Sequence, residues 1–156
     1  MLQKTMQSSI DEGFMRIAIG EAKKAKAAGD LPFGAVVVCN NKIVGIGKAE
    51  NNTIGDVADH AELLAVRAAC KSLGRNNLKD CTIYCSNEPC LMCAAAIFQA
   101  KIPKITFALS RSDLPHLLRE RKLRIEDVAA DAGYDSQIIK GVRKAEALEL
   151  FADVKK

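Results

Sequence analysis

The chain has 156 residues, 49% of them hydrophobic and 27% charged, with a formal net charge of +4. That length suits one domain with a real core, the composition is that of an ordinary soluble globule, and so mild a charge permits contact with nucleic acid without demanding it. No apolar run reaches the length of a membrane span, and Met1 to Asp11 lacks the basic-then-apolar order of a signal peptide, so a cytoplasmic setting with reduced thiols is expected for the six cysteines.

Ile10, Phe14, Ile17, Ala18, Ala22 and Ala25 recur at helical spacing and predict a helix over 10–28, ended by Gly29-Asp30. Ala35 to Cys39 and Ile43 to Gly47 are short β-branched runs on either side of Asn40-Asn41, which reads as a hairpin. Glu50 to Asp59 is a polar loop. Asp56 and Asp59 then precede the apolar positions Leu63, Leu64, Val66, Ala69 and Cys70, so a helix begins near His60 and runs to about Leu73. A strand over Cys81 to Cys85 follows, and a helix from about Cys90 to Ala100 with Pro89 in its first turn. Pro103 breaks that helix before a strand from Ile105 to Leu109. Beyond it the pattern predicts helices over 114–122 and 125–132, the second ended by Gly133. A strand over 138–142, of undetermined direction, and a helix over 144–154 complete the chain. No repeat or linker interrupts it, so one domain over 1–156 is expected, and alternating strands and helices make the fold class α/β.

The chemistry concentrates in a split motif, His60-Ala61-Glu62 and Pro89-Cys90-Leu91-Met92-Cys93. Cys90 and Cys93, three apart on one helix face, can share an ion. Both halves lie at predicted helix N-termini, whose dipoles favour thiolate over thiol. Structural zinc sites close all four positions with protein ligands. One His and two Cys leave the fourth to water, the arrangement of a catalytic zinc. Glu62 stands beside such a metal without being needed to hold it, and suits a proton shuttle. Taken singly, His-Ala-Glu is a common helix cap and Cys-x-x-Cys a redox pair or half a zinc knuckle. Together, in this order, they point to a Zn2+ held by His60, Cys90 and Cys93 with Glu62 as the catalytic group.

The order H-x-E followed by P-C-x-x-C is the known signature of zinc deaminases. With Leu-Pro-Phe-Gly-Ala-Val-Val-Val (31–38), Asn-Asn-Lys-Ile-Val-Gly-Ile-Gly (40–47) and Asn-Glu-Pro-Cys-Leu-Met-Cys (87–93), the chain resembles the cytidine deaminase-like superfamily, in its guanine deaminase and tRNA adenosine deaminase branch. The resemblance covers roughly residues 10–110. It implies a three-layer α/β/α sandwich around a five-stranded mixed sheet, one zinc, a homodimer, and hydrolytic release of ammonia through a zinc-bound hydroxide. The implied substrate is a small nucleobase or nucleoside of the guanine, isocytosine or cytosine type; the alternative is a tRNA adenosine. A zinc-stabilised scaffold is a third reading, against which the presence of Glu62 argues.

Phe33 stands where the family's guanine deaminases carry a pocket Phe and its tRNA-acting members tend to have Val, though a Phe after Pro also serves as core. Ala132-Gly133-Tyr134-Asp135 resembles an Ala-Gly-Phe-Asp of guanine deaminases in which acidic side chains meet the purine edge; a helix-ending turn has the same composition. On this resemblance the pocket draws on Phe33, Ala61 and a carboxylate from Asp113 or Asp135. The family's base-contacting Asn falls by count at Ala49, which leaves Asn51 or Asn52 to replace it. Asp59 replaces a small residue before His60, and its charge disfavours phosphorylated substrates and RNA. Residues 114–132 read as an insertion, basic at Arg119, Arg121, Lys122 and Arg124: a solvated helix face, or else a phosphate-contacting or pocket-covering lid. His116 is expected at the surface. Cys81 and Cys85 share a strand face and, like Cys39 and Cys70, read as buried small hydrophobes, a second metal pair being the alternative.

Overall fold

The structure is a computed structural model and describes residues 1–155. β1 (Gly34–Cys39) and β2 (Lys42–Lys48) form the hairpin, turning through Asn40 and Asn41 at φ of 50° and 58°. Asn tolerates that left-handed region, and such a turn follows the right-handed twist of the two strands. β3 (Cys81–Asn87) pairs antiparallel with the other edge of β1. β4 (Lys104–Leu109) and β5 (Gln137–Lys140) then add in parallel, giving the order β2-β1-β3-β4-β5.

Alternation along the strands divides the core in two. Ala35, Val37, Cys81, Ile83 and Cys85 face one layer, made by α3 (Ala61–Leu73), α4 (Leu91–Gln99) and α5 (Ile125–Asp131). Val36, Val38 and Tyr84 face the other, made by α1 (Leu2–Ala28) and α6 (Lys144–Glu149). The fold is thus the three-layer α/β/α sandwich with a five-stranded mixed sheet. A single turn, α2 (Asn51–Ile54), lies between β2 and α3.

The seat of α3 is set by glycine. A Cβ on Gly45 would stand 2.1 Å from the Ala65 carbonyl oxygen, and one on Gly47 2.0 Å from that of Ala61. Backbone therefore rests on backbone, with Ala61, Ala65 and Ala69 fully buried between helix and sheet. This contact fixes the height of the N-terminus of α3 over the sheet, and with it His60.

Several elements differ from the sequence reading. Residues 114–122 are not a helix: a 3-10 turn over Arg111–Asp113 is followed by turns and irregular chain up to α5. Pro115 keeps Leu114 out of a helix, because the residue before a proline is driven out of the helical region, and Leu114 sits at φ −124°, ψ 53°. α1 begins at Leu2 rather than 10, since its first turns are exposed and carry no apolar periodicity. Pro89 precedes Cys90, the N-cap of α4, and lies outside that helix. β5 stops at Lys140 before Gly141, at φ 79°, and α6 ends at Glu149 rather than 154.

Candidate metal centre and its cavity

His60 is the N-cap of α3 and Cys90 the N-cap of α4, so two helix N-termini converge on one point. His60 Nδ1 lies 3.6 Å from Cys90 Sγ and 3.5 Å from Cys93 Sγ, and the two sulfurs are 3.5 Å apart. Zinc bonds of about 2.0–2.3 Å in tetrahedral array put ligand atoms roughly 3.5–3.8 Å from one another. The three donors therefore have the spacing of one face of a zinc tetrahedron, and their chemistry, one imidazole and two sulfurs, suits that ion. Glu62 is outside the group, with Oε2 3.4 Å from Cys93 Sγ.

The electrostatics of the cluster follow from burial and proximity. Burial pushes the Glu62 carboxyl up to about 7. Hydrogen bonding with Cys93, and then with His60, pulls the Cys90 thiol down to about 4. Cys93 is raised by its bond to Cys90 and by burial, and the His60 imidazole is raised by Cys90 beside it. A coordinated divalent ion holds both sulfurs as thiolates.

His60, Glu62 and Cys90 open onto a cavity of about 230 Å³. Leu31, Phe33 and Asn51 line it from the side of the hairpin, and Asn87 and Glu88 from the end of β3. Arg111, Leu118 and Arg121 close it from the chain that follows β4. The cavity thus lies beyond the C-terminal ends of the parallel pair β3 and β4, where open α/β sheets leave a crevice. Asn87 is only 5% exposed; its Oδ1 accepts from Ser86 Oγ at 2.9 Å, while its Nδ2 has no hydrogen-bond partner among the described residues. Glu88 ties the chain after β4 to the metal helix. It accepts from the Arg111 backbone N–H at 2.9 Å and from Arg124 Nε and Nη2 at 3.1 and 2.9 Å.

Of the residues singled out from sequence, His60, Glu62, Cys90 and Cys93 come together, and Phe33 and Asn51 join them at the cavity wall. Phe33 serves both roles foreseen for it, since its ring also packs on Phe151 with centroids 6.0 Å apart. Ala61 is buried against β2 and is not a lining residue. Asn52 is exposed and leaves the wall to Asn51.

The two carboxylates expected at a base edge are elsewhere. Asp113 accepts from the Ser110 backbone N–H at 2.9 Å and from Lys144 Nζ at 2.6 Å, capping its own turn. Asp135 is exposed in the connection from α5 to β5. The Ala132–Asp135 fragment is the helix-ending turn: Gly133 has φ 64°, and the Tyr134 hydroxyl donates to the Lys101 carbonyl at 2.7 Å. Asp59 pairs with Arg67 at 3.5 Å and lines no part of the cavity. His116 is exposed. Cys81 does not meet Cys85 as a donor pair; its sulfur clusters with Cys39 and Asp80, and both Asp80 oxygens are taken by Arg75 at 2.8 and 2.9 Å. The sequence reading missed Asn87, Glu88 and Arg111. Their signal was adjacency: Asn87 and Glu88 directly precede Pro89-Cys90, and Arg111 follows the end of β4 by two residues.

Fold and centre together define a zinc-binding α/β protein. Comparison gives the family. The one described as the cytidine and deoxycytidylate deaminase zinc-binding region matches residues 8–109. Over 97 residues the chain is 41% identical to a tRNA-specific adenosine deaminase of Bacillus subtilis (strain 168), a match covering 62% of this chain and 60% of that protein. Over 129 residues it is 36% identical to a guanine deaminase of the same strain, covering 82% of this chain and 73% of that one. A solved structure from studies of A-to-I editing by tRNA:A34 deaminases at the wobble position of transfer RNA has a TM-score of 0.77 at 27% identity, over 88% of this chain and 98% of that chain. The chain belongs to the cytidine and deoxycytidylate deaminase zinc-binding family.

Proposed function

We propose that the protein is a zinc-dependent hydrolytic deaminase of a nucleobase ring, free or within a nucleoside, with guanine, isocytosine and cytosine as the small candidates. The observation that carries this reading is the buried Glu62 carboxyl beside the His60–Cys90–Cys93 cluster, at one end of a cavity of about 230 Å³. Zinc in that cluster supplies Lewis-acid activation of water. The rest falls to the chain. Glu62 takes one proton from the attacking water and gives it to the ring nitrogen, then takes the remaining proton of the added hydroxyl and gives it to the exocyclic amine as its C–N bond breaks. Ammonia leaves, and the water oxygen remains on the ring as a carbonyl. Leu31 and Phe33 offer apolar walls to the ring, and the unpartnered Asn87 amide a donor to one of its acceptors.

A second reading, deamination of a tRNA adenosine, uses the same chemistry. It is supported by the tRNA-specific relative and by Arg111 and Arg121 on the cavity wall. Glu62→Gln tests both. The amide keeps the shape and cannot carry the proton, so zinc and fold are retained while turnover falls at least about a hundredfold. A variant that keeps most of the parent's rate removes Glu62 from this role.

A homodimer and a cytoplasmic setting belong to the same proposal. The first is supported by the outer face of α4, where Met92 is 38% exposed and Ala95 also faces outward, and the second by six free cysteines. No helix among the described residues is long and apolar enough to cross a membrane. A solution mass of one chain contradicts the dimer, and disulfides in thiol-blocked cell extracts contradict the setting.

A further inference from the structure

Arg111 and Arg121 stand between the metal cavity and a neighbouring one. A second cavity, of about 280 Å³, lies along the chain after β4, and Arg111, Leu118 and Arg121 border both. The inner space alone, about 230 Å³, falls below the roughly 300–1,000 Å³ of ordinary small-molecule sites. The two spaces taken together fall within that range. A ring bound at Glu62 therefore leaves room for a further group reaching past the two arginines.

The charges on this passage decide what that group is. Arg124 is spent on Glu88, and Asp113 on Lys144. Asp59, which on sequence grounds would bring negative charge to the mouth, is neutralised by Arg67 and borders neither cavity. Glu120 borders the outer cavity but not the inner one. Arg111 and Arg121 have no ion-pair partner among the described residues; Arg111 uses only its Nε, donating to the Arg119 carbonyl at 2.7 Å. The passage is built rather than loose, because Glu88 clamps the Arg111 backbone and the Arg124 side chain on either side of it. Arg111 and Arg121 bear on each other as like charges, and an anion between the two guanidinium groups relieves that repulsion. The planar fork of arginine fits phosphate oxygens in pairs.

We propose that Arg111 and Arg121 hold a phosphate attached to the nucleoside whose base enters the metal cavity, so that the substrate class is a phosphorylated nucleoside. The phosphate belongs to a free mononucleotide or to a nucleic-acid strand. The deaminase reading supplies the base half of this inference, and the phosphate half is measured without turnover.

The experiment is calorimetric binding to zinc-loaded Glu62→Gln protein. The probes are guanosine, cytidine and adenosine, their 5′-monophosphates, and an anticodon stem-loop RNA containing adenosine. At least one phosphorylated probe binds about tenfold or more tightly than its nucleoside, the effect of one charge-assisted hydrogen bond or more. The preference falls severalfold in Arg121→Gln, disappears in the Arg111→Gln/Arg121→Gln pair, and is partly kept in Arg121→Lys. Preference for the stem-loop alone assigns the phosphate to a strand, and preference for a monophosphate to a free nucleotide. Equal binding of nucleosides and phosphorylated probes, no binding by any of them, or a preference that survives the double replacement overturns the proposal. Arg121 is exposed, so its single variant remains decisive even where the double variant fails to fold. Phosphate-dependent binding in a parent protein that releases no ammonia overturns the deaminase reading instead and leaves this one standing.

Discussion

Asn87 carries a buried donor that nothing among the described residues satisfies. Such a group costs about 1–3 kcal/mol of stability, which makes sense where a ligand completes it. Asn87→Ala removes that donor but also takes the acceptor from Ser86 Oγ, so thermal stability is expected to change by no more than about 1–2 kcal/mol while kcat/KM falls roughly 3–10-fold, the effect of one lost neutral hydrogen bond. A less stable variant with unaltered kinetics makes Asn87 a structural residue instead. The sequence reading passed over it because its strand was expected to stop at Cys85, whereas β3 runs two residues further and carries Asn87 to the cavity wall. Asp113 and Asp135 fail in the opposite direction. Their composition suited a base edge, but one is consumed by Ser110 and Lys144 and the other lies in an exposed connection, and neither fact is written in local sequence. The ligands and Glu62 were legible because metal chemistry admits few residue types and few spacings.

At the scale of elements, the site depends on how α3 and α2 are seated. Gly47→Ala puts a methyl into the Ala61 carbonyl, and backbone cannot give way as a flexible side chain does. It is expected to cost about 1–3 kcal/mol and to shift His60 away from the two cysteines, so zinc affinity drops along with the melting temperature. Full zinc occupancy at unchanged stability contradicts that seating. α2 is held from outside itself: Asp30 accepts the N–H groups of Asn52 and Thr53 at 2.8 and 3.1 Å, which places Asn51 at the cavity. Burial by itself raises the Asp30 carboxyl, but the hydrogen bonds from Thr53 and Asn52 and the charge of Lys48 outweigh it and leave the group below its ordinary 3.8. A carboxyl lowered by folding stabilises the protein above its unfolded pKa, and the contribution disappears as pH falls through the folded value. Asp30→Asn is thus expected to be less stable than the parent at pH 7 by about 1–2 kcal/mol, with the gap closing toward pH 3. Melting curves at the two pH values check this, and a gap that is constant with pH contradicts it. Elements with a strong period were legible, as the hairpin, α3 and α4 show. The helix expected over 114–122 was not, because its leucines satisfied the helical period in a segment that folds as turns.

For the whole molecule, the sheet does more than bury apolar side chains. Antiparallel β1 and β2 carry α3 across one side, and parallel β3 and β4 release α4 and the arginine-bearing chain at a common end. His60 and Cys90, thirty residues apart, meet because two helix N-termini point at one crevice. Alternating strands and helices announced the α/β class, whereas the parallel direction of β5 depends on a crossover through α5 that no local pattern records. The net charge of +4 also hides a local asymmetry: Arg111 and Arg121 have no ion-pair partner among the described residues, while most nearby acids are matched.

The most direct measurement is ammonia release by the protein stripped of metal and then titrated with zinc, over a panel of bases, nucleosides, mononucleotides and the adenosine stem-loop. The stripped protein should release none, and activity toward at least one substrate should rise to a plateau at one zinc per chain. Ammonia release that persists without metal, a plateau at a different stoichiometry, or silence toward every substrate in the zinc-loaded state contradicts a hydrolytic deaminase built on His60, Cys90, Cys93 and Glu62.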